Sequence, residues 1–146
     1  MQVTQYENPT PWLIKYLRNN WDYSQGSPPE FLAAFPEPDN PRVPPLWVVV
    51  RDDGGTDLDD GVQQARDIAF TVSAPKRWKA DNDAEKLCAL IRALPYTKNT
   101  PVTHVSSLVG PQPITDRTYP HLRYITCSLL ITGAPTEIKG ENYYGG

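Results

Sequence analysis

The chain has 146 residues, a formal net charge of −3, and 21% charged against 39% hydrophobic residues. That length supports one domain, residues 1–146, whose core can bury roughly 70% of the unfolded surface without disulfide or metal. The composition excludes a disordered chain. The acidic balance argues against non-specific nucleic-acid binding, which needs a basic footprint, but it leaves open a protein that surrounds DNA without gripping it.

Proline is over-used, with 16 residues in the chain against an average of ~5%. The prolines concentrate from Pro28 to Pro45 and from Pro95 to Pro120. Neither stretch is expected to form regular helix or a central strand, because proline lacks the amide donor.

In chain order, the first helix is expected from Thr10 as N-cap, with Pro11 at the first helical position, where its missing N–H had no partner to lose. Leu13, Tyr16 and Leu17 form its apolar stripe, Trp12 and Trp21 flank it, and it fades at Asn19-Asn20. Residues 24–45 then read as a long proline-rich arm or insertion, in which Phe31, Leu32 and Phe35 are the apolar anchors. A segment this long either packs on a neighbouring subunit or wraps its own core. Removing residues 28–41 is expected to leave a folded chain.

Leu46 to Arg51 reads as a buried strand and Asp67 to Ala74 as its antiparallel partner, with Ile68, Phe70 and Val72 on one face. Between them lies an acidic stretch carrying Asp52, Asp53, Asp57, Asp59 and Asp60, expected to be an extended, mobile hairpin loop rather than a metal site. The second helix is expected from Asn82, with Glu85 completing a capping-box pattern and Asp83 in the first turn. Ala84, Leu87, Cys88, Ile91 and Leu94 form its stripe, and Pro95 stops it. Val102 to Val109 gives a third strand, and the segment Tyr119 to Thr132 contains a fourth with Ile125, Cys127, Leu129 and Ile131 inward. The tail from residue 134 to 146 reads as flexible. The expected fold is therefore α+β: a four-stranded, mainly antiparallel sheet with two helices packed on one face, and long loops.

No chemistry-bearing constellation emerges. An EF-hand frame starting at Asp57 puts its glycine one place early, at Gly61, and Ile68 where the bidentate glutamate belongs. Cys88 and Cys127 read as buried thiols, and no CxxC motif is present. His104 and His121 each lack a second ligand or a nucleophile at useful spacing. Gly54-Gly55 fits no phosphate loop. The four tryptophans read as core or subunit contacts rather than stacking platforms for nucleic acid. No catalytic residue, cofactor or metal is expected. The start MQVTQYENPT is polar and carries no signal peptide, and no apolar run reaches the ~20 residues that span a bilayer. A chain made in a cytoplasm and not embedded in a membrane is expected.

The order of segments carries a resemblance. WLIKYLRNN is followed by LWVVVR, a glycine-containing acidic stretch, DIAFTVSAP, the helix ADNDAEKLCALIRALP, a strand, and TYPHLRYITCSLLITG after an aromatic-proline step. This layout resembles the tail terminator proteins of long-tailed, siphovirus-type bacteriophages, over roughly residues 10–134; the 24–45 insertion and the C-terminal tail depart from it. The resemblance implies a small mixed sheet with helices on one face and a structural virion protein that is not an enzyme. Such a protein would form a hexameric ring on the last ring of tail tube protein, end its polymerisation, and present a surface to the head-side connector or stopper. DNA would pass through without specific binding, and the acidic aspartates would face that channel or a partner in the assembly. Two other readings stand beside it: another ring-forming head–tail joining protein, such as a stopper or tube protein, and a small ligand-binding or adaptor α+β domain.

Overall fold

The computed structural model describes residues 1–24, 26–37 and 45–137. Strand β1 (Gln2–Gln5) is followed by helix α1 (Pro9–Asn20), strand β2 (Glu30–Leu32) and strand β3 (Trp47–Asp57). Next come β4 (Gln63–Ser73), α2 (Arg77–Ala93), a 3-10 turn (Leu94–Tyr96), β5 (Val102–Ile114), β6 (Leu122–Thr132) and β7 (Ala134–Glu137).

The expected four-stranded sheet is overturned. Five strands pair in the order β2-β3-β4-β6-β5, and β1 pairs with β7 in a separate two-stranded ribbon. The main sheet is mixed, because Glu30–Leu32 runs parallel to Trp47–Val49. Both additions lack the signals on which strand recognition depends. β2 has three residues and lies between prolines. β1 and β7 are exposed on most positions, so neither alternates in polarity.

The acidic stretch is also strand rather than loop. β6 pairs with β4 along its full length, from Gln63 with Thr132 to Ser73 with Leu122. β3 follows β4 outward past a bulge between Asp52 and Gly55. Only residues 58–62 turn the chain. No apolar alternation marks this half of the hairpin, because its side chains meet solvent.

One core lies between the sheet and the helices. Leu13, Tyr16 and Leu17 of α1 and Ala84, Leu87, Cys88 and Ile91 of α2 share it with Val48, Val50, Phe70 and Ile125. The Tyr16 hydroxyl ties the helices together by donating to the Leu90 carbonyl at 2.7 Å. α1 starts earlier than expected: the Asn8 side chain caps it, accepting from the Thr10 amide at 3.2 Å. α2 begins at Arg77, so Asn82 lies inside the helix and the capping-box reading fails. The early turns were hidden because their buried stripe includes polar members, Lys79 and Asp83, beside Ala80 and Ala84.

The opposite sheet face holds a smaller cluster of Trp47, Val49 and Leu122, with Leu32 and Tyr119 against it. Phe35 and Tyr119 meet the Trp47 ring edge-on at 6.0 and 5.0 Å. The described part of the 24–45 segment therefore wraps its own chain. Phe31 is 3% exposed and lies edge-on to Trp21 at 5.3 Å; its carbonyl accepts from Arg18 Nη2 at 3.1 Å. An arm with Phe31 in the core cannot be cut away without cost, so a deletion of residues 28–41 is not a neutral test. Residues 38–44 lie outside the described residues. The expected flexible tail is strand as far as Glu137, and residues 138–146 lie outside them too.

β5 runs on to Ile114 through Pro111 and Pro113, five residues past the expected end. It can, because it is an edge strand and bulged in three places. At Gly110 the backbone has φ 109°, and a Cβ there would collide with the Tyr124 carbonyl of β6. Gly110→Ala is expected to cost about 1–3 kcal/mol, read as a lower urea midpoint with an unchanged slope; an unchanged midpoint would contradict the close approach of β5 and β6.

Candidate interaction surfaces

The five aspartates do not form one cluster. Asp52, Asp53 and Asp57 are strand residues of β3, and Asp59 and Asp60 lie in the turn. The two inner ones are paired. Arg66 Nη2 donates to Asp52 at 2.9 Å and its Nε lies 3.1 Å from both carboxylate oxygens. Arg51 donates to Asp53 at 2.6 Å and to the Tyr124 hydroxyl at 3.3 Å; the Asp53 hydrogen bond raises the Arg51 guanidinium above its usual range. Asp57 accepts from Gln64 at 2.9 Å. Asp60 accepts from the Val62 and Gln63 amides at 3.0 Å, which shapes the turn. Among the described residues, Asp52 and Asp53 are thus neutralised, while Asp57, Asp59 and Asp60 have no ion-pair partner. Tyr6 beside the turn responds: its phenol is raised by desolvation first, then by the field of Asp57 and Asp60.

No basic residue lies among the aspartates in the sequence; Arg51 precedes them on the same strand and pairs with Asp53 two residues on, whereas Arg66 reaches Asp52 from across the hairpin. The register, Asp52 opposite Ile68 and Gly55 opposite Arg66, brings Arg66 to Asp52. Arg66→Ala is expected to cost about 1–2 kcal/mol, less at 1 M salt than at 50 mM, because the pair is only three-quarters buried. An equal loss at both salt concentrations would count against an ion pair.

A concavity of about 470 Å³ lies on the sheet face away from the helices and is lined by Asp53, Asp67, Ser106, Ser107, Thr126 and Ser128 among others. Cys127 borders it, but burial pushes that thiol up to about 12, so it stays protonated and non-nucleophilic near neutral pH. Burial raises Cys88 as well, and both cysteines are free. His104 is exposed on β5 and His121 half-buried before β6. Among the described residues no group of three or more His, Cys, Asp or Glu side chains could hold a metal ion, and no helix is long and apolar enough to cross a membrane.

A second concavity of about 230 Å³ lies in the helix layer, between α1 and the turn after Tyr96. Trp12 stacks on Tyr16 there, with centroids 5.7 Å apart and planes 3° from parallel. Lys15 and Lys98 also line it. The sequence marks Trp12 only as a flank of the first helix's stripe, since the approach of residues 97–99 is long-range. Of the other tryptophans, Trp21 and Trp47 are buried and Trp78 is 62% exposed. Of the arm residues, Phe31 enters the core, Leu32 covers the opposite face, and Phe35 is 50% exposed over Trp47.

No family model matches the chain, and no curated protein matches it.

Proposed function

We propose that this chain is a structural subunit of a long-tailed phage, a tail terminator. It closes as a hexameric ring on the end of the tail tube, stops tube growth, and presents its other side to the head-side connector. The observation that carries this reading is the element order. From α1 to β6 the chain runs helix, strand, strand, helix, strand, strand, apart from the short β2 and a 3-10 turn. Both helices lie on one face of the sheet, the layout that the resemblance implies.

Two features support a non-enzymatic role. The polar sheet face gathers hydroxyls and carboxylates around a thiol that stays protonated, so no activated nucleophile stands there. The same face, with Asp53 and Asp67 among hydroxyls, suits the lining of a DNA channel. Asp67 repels phosphate there, Arg51 is held in its pair with Asp53, and the remaining hydroxyls give passing DNA no free cation to hold.

The ring would belong to the virion, at the head–tail junction. The test is depletion of the chain during phage infection. Overlong tails and unjoined heads, seen by negative-stain electron microscopy, are the expected result. Tails of normal length carrying heads would refute the proposal.

A further inference from the structure

The ring reading leaves open which surfaces join one subunit to the next. We infer that the acidic turn between β3 and β4 of one copy seats in the lysine-rimmed groove between α1 and residues 97–99 of the next copy. The inference rests on the ring reading and adds to it a specific contact.

The two surfaces match in two independent ways. The first is charge. Asp59 and Asp60 head the turn, and the nearest arginines, Arg51 and Arg66, are engaged with Asp53 and Asp52. On the other side, Lys15 and Lys98 are exposed on the groove rim, and neither is in an ion pair among the described residues. No carboxylate lines the groove, and Asn19, Asn20 and Asn99 add amides. The second is apolar surface. Leu58 and Val62 flank the two aspartates and are 38% and 47% exposed. The groove offers the stacked Trp12 and Tyr16 rings beneath its lysines. A tip with acids between two aliphatic side chains thus faces an aromatic floor under a cationic rim.

The groove of about 230 Å³ has room for a turn of a few side chains, not for a helix. Its two lysines are too few to hold a phosphate backbone. Turn and groove lie on different surfaces, since no residue of the hairpin lines the groove. The contact is therefore head-to-tail, the kind that closes into a ring when its rotation permits. Exposed ion pairs contribute little each and are screened by salt, so the contact sets orientation and partner choice more than strength.

The experiment uses the full chain in three forms: wild type, a D59K/D60K variant, and a K15E/K98E variant. All are checked for folding by circular dichroism, and all are followed by sedimentation velocity from micromolar to millimolar concentration in low salt. Wild type is expected to self-associate. Each variant alone is expected to associate at least about tenfold more weakly. Their equimolar mixture is expected to recover association, because each basic turn then finds an acidic groove and each acidic turn a basic groove. Folded variants that associate like wild type overturn the contact, and so does a mixture that stays apart. A wild-type chain that remains monomeric throughout also overturns it. The ring reading is judged separately by tail length after depletion, so oligomers indifferent to these charges would end this inference and leave that reading standing.

Discussion

Asp83→Ala is expected to lower the unfolding free energy by about 3–5 kcal/mol. Asp83 is fully buried on α2 and accepts from the Lys79 ammonium one turn earlier at 3.0 Å. Removing the carboxylate leaves that ammonium, itself 8% exposed, in the interior without its counter-charge. The setting is already costly. Asp83 Oδ2 and Lys86 Nζ have no hydrogen-bond partner among the described residues, and Lys86 lies 5.6 Å over the Trp21 ring. A Lys79→Met, Asp83→Leu double variant is expected to recover most of the loss, since apolar side chains of similar size need no pairing. A double variant as unstable as the single one would show that packing, not charge, decides.

The pH dependence follows from the same geometry. Burial raises the Asp83 carboxyl, against the Lys79 hydrogen bond and charge, which lower it. A carboxyl raised in the folded state binds its proton more tightly there than in the unfolded chain. Its contribution to stability is therefore full below ~3.9, the ordinary aspartate value, and falls as pH rises through the raised folded value. The stability gap between wild type and Asp83→Ala is expected to shrink as pH rises across that window, read from urea midpoints. A gap that widens over the same range would contradict the raised carboxyl.

Phe31→Ala is expected to cost about 3–5 kcal/mol. The side chain belongs to a three-residue strand in a proline-rich segment, yet it is 3% exposed and joins the main core beside Trp21. Truncation removes an aromatic ring from between α1 and β3 and weakens the parallel pairing that holds β2. Phe35→Ala, at a half-exposed ring, is expected to cost under about 1.5 kcal/mol. Equal losses at both positions, measured by urea unfolding, would mean that Phe31 is not a core residue.

Phe31 also marks where the sequence is legible. The two helices and the inner halves of β3, β4 and β6 follow from apolar spacing, because those segments each bury one face. Leu87, Cys88 and Ile91 recur at helical intervals, and Ile125, Cys127, Leu129 and Ile131 at strand intervals, and all are buried. What escaped is structure made by pairing rather than by burial. Asp52 and Asp57 are strand residues because β6 pairs with the whole of β4 and β3 follows; their own side chains carry no strand signal. β2 is strand because Trp47–Val49 lies beside it. The early start of α2 was masked by Lys79 and Asp83, whose spacing of four is that of a helix ion pair but whose charge reads as surface. The candidate surfaces follow the same division. The aspartates were legible as an acidic stretch, whereas the pairing of Arg66 with Asp52 and the groove at Lys98 depend on contacts distant in sequence.

The most direct test of the tail-terminator reading is cryo-electron microscopy of intact particles at the head-proximal end of the tail, reconstructed without imposed symmetry. The account expects six copies of this chain in one ring between the last tube ring and the connector. Particles that lack the chain, or that carry it at another place or in a ring without six-fold order, would contradict it.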